Sequence, residues 1–141
     1  MGSRDCFACG SENPTGLHLH FTQIEGGVRT TTVLEERFGG WHGIAHGGVT
    51  ATLLDEAASY VGYVMGLVTV TARLEVRFSK PVPLDVPLAL HGWLVGRRRT
   101  LIDAAADLRY DDDLLASARA TLMVLGEHTG EEVSIEQYLK G

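Results

Sequence analysis

No stretch of this chain approaches the roughly 20 uninterrupted apolar residues that a membrane-spanning helix needs, and Met1-Gly2-Ser3-Arg4-Asp5 offers no apolar signal-peptide core. A cytosolic protein without a membrane partner is expected. Positive charge is scarce as well: 12 Lys and Arg stand against 18 Asp and Glu, a formal net charge of −6. That argues against a nucleic-acid partner, because general nucleic-acid binders carry a surplus of Lys and Arg over the contact face. Cysteine is nearly absent. Cys6 and Cys9 are the two present, and one Cys-x-x-Cys supplies only half of a tetrahedral zinc site. A redox motif would open a helix in a βαβ pattern, which this sequence lacks. The pair is expected to form a tight reduced turn rather than a metal site shared across a dimer. There is no internal repeat and no low-complexity segment.

What is present suits one globular domain. The 141 residues are 45% hydrophobic, enough for a core, so a single domain over 1–141 is expected, with residues 1–16 as an N-terminal segment carrying the Cys-x-x-Cys turn. Asn13-Pro14-Thr15-Gly16 is turn chemistry, and the alternation of Leu17, Leu19 and Phe21 with His18, His20 and Thr22 predicts a first strand. Gly26-Gly27 signals a hairpin, and the β-branched run from Val28 to Val33 reads as the returning strand. From Glu35 to His46, with Gly39, Gly40 and Gly43, the composition suits a shaped loop.

From Gly47 to about Gly66 the pattern is helical and apolar nearly all round, with Asp55 and Glu56 the only charges. Such a helix must be wrapped. Ala72, Leu74, Val76 and Phe78 alternate with Thr71, Arg73, Glu75 and Arg77, the period of a strand with one face inward. Pro81, Pro83 and Pro87 end it. Three more strands follow near Leu88–Val95, Leu101–Tyr110 and Leu115–Leu125, and the small residues Ala104, Ala106, Ala116, Ala118 and Ala120 let a sheet curve closely onto a helix. Ser134 reads as a cap for a short helix over Ile135–Lys140. The order strand, strand, long helix, four strands fits an α+β fold, an antiparallel sheet curled around one central helix.

The start of that helix, His46-Gly47-Gly48, leaves amide groups without intrahelical partners, and glycine lets a ligand approach them closely. With the positive end of the helix dipole, these amides suit polarisation of a carbonyl and stabilisation of an oxyanion. The plainer reading is that paired glycines only turn the chain into the helix. Asp55 lies well inside the helix, where a carboxylate is costly unless paired or open to a cavity. Glu56 points about 100° away and is expected to reach solvent or a basic partner. A carboxylate beside an oxyanion hole suits acyl transfer to water, as general base or nucleophile. Gly47 and Asp55 are about 12 Å apart along a helix at ~1.5 Å per residue, so one thioester carbon cannot touch both on the same helix. A site that uses both needs Gly47 from one subunit and Asp55 from another related by a two-fold axis.

The run His46-Gly47-Gly48-Val49-Thr50-Ala51-Thr52-Leu53-Leu54-Asp55 resembles hotdog-fold acyl-CoA thioesterases of the PaaI-like group. So do Thr71-Ala72-Arg73-Leu74, Phe78-Ser79-Lys80-Pro81-Val82-Pro83-Leu84, Cys6-Phe7-Ala8-Cys9-Gly10 and Asn13-Pro14-Thr15-Gly16-Leu17. The pattern is closest to the subgroup of human THEM-type long-chain thioesterases. The resemblance implies a hotdog fold and acyl-CoA as substrate, with no separate cofactor and no metal. It further implies a homodimer or a dimer of dimers.

Residue by residue, the resemblance places Asp55 on the catalytic carboxylate and Gly47 on the amide that polarises the carbonyl. His46 falls on the histidine supporting the turn, and Thr71 on the strand hydroxyl that places the water. Many relatives have an asparagine six residues before the histidine, where this chain has Gly40. Gly48, Trp41, Arg77, Lys80, Arg97, Arg98 and Arg99 are candidates for holding the substrate and its coenzyme A phosphates, since guanidinium binds phosphate bidentately. The plainer reading of the arginine run is solvated surface. The acyl pocket is expected between subunits, lined by Trp41, Tyr60, Tyr63 and Met65. Two other functions fit the residues less well: a hydratase or dehydratase using His46 with Asp55, and a hotdog protein that binds acyl-CoA without turnover.

Overall fold

The computed structural model describes residues 3–130 and Glu136. The expected helix over Ile135–Lys140 lies outside the described residues. Strands β1 (Thr22–Ile24) and β2 (Gly27–Val33) form a hairpin closed by Glu25-Gly26, with Gly26 in the left-handed region at φ 76°. Helix α1 (Gly47–Val64) follows, then β3 (Leu67–Phe78), β4 (Pro87–Arg98), β5 (Leu101–Tyr110) and β6 (Asp113–Glu127). All six strands lie in one antiparallel sheet in the order β1-β2-β4-β5-β6-β3, and α1 contacts every strand from β2 to β6. The curled antiparallel sheet around one helix is therefore present as expected.

Helix α1 is buried by Leu53, Leu54, Ala57, Ala58 and Val61, all at most 2% exposed. Each such leucine contributes roughly 1.5–3 kcal/mol of hydrophobic stabilisation. The opposing wall is made of the small residues that the sequence marks out: Ala104, Ala106, Ala116, Ala118 and Ala120 are all buried. Gly92 in β4 is closer still. A methyl group on it would stand 2.5 Å from the Ala57 carbonyl oxygen, so helix and sheet backbones meet there with no room for a side chain.

One expected strand is displaced. Leu17 and Leu19 are buried and His18 and His20 point outward, but no strand pairs this segment. Leu17 and Leu19 instead give their N–H groups to the carbonyls of Phe7 and Ala8, and His18 adopts a left-handed backbone at φ 52°. The N-terminal turn thus takes the hydrogen bonds that a neighbouring strand would have taken, and regular pairing begins only at Thr22. Arg37 in the following loop donates to the carbonyls of Thr15 and Gly16, which fixes the N-terminal segment against the loop that leads into α1.

The close approach at Gly92 is testable. Gly92→Ala forces backbone to move and is expected to cost about 1–3 kcal/mol. Gly96→Ala, where an added methyl meets nothing within 4 Å, should stay within about 0.5 kcal/mol of the parent. Urea unfolding of both variants compares them directly, and equal midpoints would refute the packing argument.

Candidate active site

The loop before α1 delivers its N-terminus by backbone hydrogen bonds. Gly39 bridges to Ala45, Ile44 bridges to Pro83, and the His46 N–H is held by the Phe38 carbonyl. His46 is the N-cap at φ −60°, ψ 136°. Its Nδ1 accepts the Gly48 N–H at 2.9 Å, which places the proton of a neutral ring on Nε2. Its carbonyl accepts the N–H groups of Val49 and Thr50 at 2.9 and 3.1 Å. Among the described residues, no acceptor takes the Gly47 N–H. Helix geometry therefore leaves one amide of the first turn aimed outward at the positive end of the dipole. His46, Gly47 and Gly48 are all exposed, and only the Phe78 ring comes near Gly47, 3.8 Å from where a Cβ would sit. Gly40 packs behind this turn, where a Cβ would lie 3.2 Å from the His46 Cα.

Asp55 is not left as an unpartnered buried acid. It is half-buried, on the side of α1 that faces β3. Since β3 is the edge of the sheet, no further strand covers it. Thr71 of β3 donates its hydroxyl to the Asp55 carboxylate at 2.7 Å. A break in the pairing of β3 with β6 between Thr71 and Arg73 marks a bulge at this level, the device by which strands re-aim side chains. The structure thus brings Asp55 and Thr71 together. Gly47, two turns earlier on a straight helix, remains about 12 Å from Asp55.

The basic candidates divide into two groups. Arg77 and Lys80, both exposed, lie at the end of β3 beside the start of α1, and Lys80 pairs with Asp113 at 3.2 Å. Arg97 and Arg98 end β4 and Arg99 enters the β4–β5 turn, with Arg98 held by Asp103 at 3.3 Å. The pairing Thr71–Leu122–Ile102–Arg97 puts this turn level with Thr71, three strands away, or roughly 14 Å at ~4.8 Å per strand. Trp41 is 83% exposed in the loop before α1. Tyr60 and Tyr63 lie near the other end of the helix, in an aromatic row running from Phe21 through Tyr60 and Tyr63 to His128. Met65 follows the helix end. Trp41 therefore does not share a pocket with Tyr60, Tyr63 and Met65 within one chain, because the length of α1 separates them.

Glu56 departs furthest from expectation. It is 7% exposed, pairs with no basic side chain among the described residues, and packs beneath the N-terminal turn with its carboxylate near the Cys6 and Cys9 thiols. Burial raises its pKa and the adjacent Asp55 charge adds to this, while a hydrogen bond with Cys9 opposes it. Burial likewise pushes the Cys9 thiol up to about 12, with Glu56 the next cause, and raises the Tyr60 hydroxyl. Glu56 and Tyr60 are four residues apart on one helix face, which is legible in the sequence. The approach of Cys9, far away along the chain, is not.

Known proteins share this architecture. The Thioesterase superfamily profile matches residues 42–117, while no curated protein matches the sequence. A crystal structure of a thioesterase superfamily protein is 31% identical with a TM-score of 0.81, over 85% of this chain and 63% of that one. The chain thus spans less than two thirds of that relative. A hypothetical thioesterase protein from Streptococcus pneumoniae, solved with coenzyme A, is 27% identical with a TM-score of 0.71, over 79% of this chain and 100% of its own. Zebra fish thioesterase superfamily member 2, at 24% identity and a TM-score of 0.68 over 76% and 80% of the two chains, shares the fold. No helix among the described residues is long and apolar enough to cross a membrane. With more than half of its length inside the matched region and its sheet curled around a single helix, the chain belongs to the thioesterase superfamily of hotdog-fold proteins.

Proposed function

We propose that the protein hydrolyses an acyl-CoA thioester to the free acid and coenzyme A, at a site completed by two copies of the chain. The observation that carries this reading is the unclaimed Gly47 amide. His46 accepts every other amide of the first turn and leaves this donor for a substrate carbonyl. Asp55, oriented by Thr71, activates the attacking oxygen. As general base it takes a proton from water, the hydroxide adds to the thioester carbon, and the oxyanion rests on the Gly47 N–H. Collapse breaks the carbon–sulfur bond, and the proton passes to the departing thiolate. As nucleophile, Asp55 instead attacks the thioester carbon and expels the coenzyme A thiolate to give an anhydride; water attacking at the Asp55 carbonyl then releases the acid, and solvent oxygen labelled in a single turnover appears in Asp55.

Two features of relatives support the assignment. The pneumococcal protein was solved with coenzyme A. It was also solved with an aspartate and, separately, a threonine sixteen positions later replaced by alanine, the same separation as Asp55 and Thr71 here. Against the hydratase reading, His46 Nδ1 is occupied by its own helix and stands two turns from Asp55, so the two are not a pair within one chain. The need for a second copy follows from the ~12 Å between Gly47 and Asp55. The unpaired edge β3, with Val70 40% and Phe78 56% exposed, is the surface on which that copy is placed. Arg97 and Arg99, for which no ion pair is formed among the described residues, are the cations offered to the coenzyme A phosphates.

Gly47→Pro is the most selective test. Proline is tolerated at the first helical position, and the His46 backbone already has the extended conformation that precedes proline, so only the donor is lost. A fall in kcat of about 10²–10³ with unchanged helix content is expected in a thiol-release assay over short, long and aromatic acyl-CoAs. Asp55→Asn should lower kcat by about 10²–10⁴ on every substrate the native chain cleaves. Full activity in this variant sinks the assignment. Val70→Glu, which puts charge on the open edge and replaces no named site residue, should yield monomers by sedimentation, with turnover lost in proportion. A fully active monomer overturns the shared site.

A further inference from the structure

We propose that Cys6, Cys9 and Glu56 form a zinc site that fastens the N-terminal turn to helix α1. The two sulfurs and a carboxylate oxygen all lie within 4.8 Å of one another. Around one zinc ion, with Zn–S of about 2.3 Å and Zn–O of about 2.0 Å in a tetrahedron, ligand atoms stand roughly 3.3–3.8 Å apart. Small side-chain rotations close that difference.

A second observation points to a cation at this place. Glu56 is 7% exposed, and its Oε1 has no hydrogen-bond partner. No ion pair among the described residues reaches it. A buried carboxylate with an orphaned oxygen is costly, and a divalent ion beside it removes both the orphan and the uncompensated charge. Two thiolates in the donor set select zinc over magnesium or calcium, whose preferred ligands are oxygens.

The turn that presents the sulfurs is built for close quarters. The Cys9 N–H points at the Cys6 sulfur at 3.4 Å, and the Gly10 N–H bonds the Cys6 carbonyl at 2.9 Å. A Cβ on Gly10 would lie 2.3 Å from the Cys6 nitrogen. An N–H directed at a ligating sulfur is the outer support that metal-bound thiolates receive. Cys6 is only partly buried, which gives the ion a route in and leaves the fourth position to water. The site is structural rather than part of the thioester chemistry: Glu56 projects about 100° away from Asp55 around the helix. Its consequence is a clamp between the N-terminal segment and α1, added to the Cys9–Glu56 hydrogen bond and the packing that already join them.

The test uses the full chain, stripped of metal with a chelator and kept reduced. Titration with cobalt(II) as a spectroscopic stand-in should produce a thiolate-to-metal charge-transfer band saturating at one ion per chain, and zinc should displace it. Zinc should also raise the melting temperature of the stripped protein. Cys6→Ser and Glu56→Gln, with circular dichroism confirming their fold, should each weaken zinc binding by at least about 100-fold in chelator competition. A folded native chain with no charge-transfer band overturns the proposal. So does a Cys6→Ser, Cys9→Ser double variant that binds zinc as tightly as the parent. Metal binding is read without substrate, so failure here leaves the Gly47 and Asp55 assignments untouched.

Discussion

The contact on which the molecule depends is the close approach of α1 to the sheet at Gly92 and the buried alanines of β5 and β6. An apolar helix of 18 residues, about 27 Å long, can be hidden by a single sheet only if the sheet curls over it, and large side chains on the inner face would hold the two apart. Small residues there let the middle of the helix disappear while its first turn emerges from the rim. The same packing that hides Leu53 and Leu54 therefore exposes His46, Gly47 and Gly48. The exposure of the helix start is a by-product of how the core is filled.

Much of this was legible in the chain. The helix over residues 47–64 follows from an apolar pattern covering nearly its whole circumference, and the strands follow from period-two alternation bounded by proline and glycine. The alanine wall and the hairpin signalled by Gly26-Gly27, whose turn lies at Glu25-Gly26, were readable for the same reason: the signal is local. The misreadings share the opposite property. Leu17–Phe21 alternates like a strand but finds its partner in the Cys6–Gly10 turn rather than in a neighbouring strand, and alternation reports which side is buried, not what pairs with the backbone. Glu56 was read as reaching solvent or a basic partner because charge on a helix usually does. Only the tertiary position of Cys9 shows otherwise, and nothing within a few residues of Glu56 encodes it.

Asp55 and Glu56 show how environment assigns roles to neighbours of the same chemistry. One helical step turns the first toward the sheet's open edge, where a threonine hydroxyl orders it and space remains beside it. The same step turns the second under the N-terminal turn, where burial opposes its ionisation and two sulfurs stand close. An acid poised for catalysis needs access and orientation. An acid in a closed, sulfur-rich corner needs a counter-charge. The sequence Asp55-Glu56 states neither requirement, and the sheet order, which leaves β3 at the edge, states the first.

In the proposed two-copy arrangement, the position of the symmetry axis follows from the spacing alone. Two antiparallel helices place Gly47 of one level with Asp55 of the other only if the two-fold axis crosses α1 midway between them, at Ala51. Residues 47, 51 and 55 are four apart and so share one face of the helix, and that face carries a glycine, an alanine and the short acid. All three are exposed or partly exposed in the single chain, although Leu53 and Leu54 on the other side are fully buried. Small residues at a crossing let helices approach to the short end of the 8–10 Å range, near enough for one carbonyl to meet an amide from one helix and a carboxylate from the other. A bulky residue at position 51 would separate the helices and pull both reacting partners apart at once. The alanine there thus bears on catalysis without touching the substrate, and each crossing assembles two equivalent sites, one on either side of it.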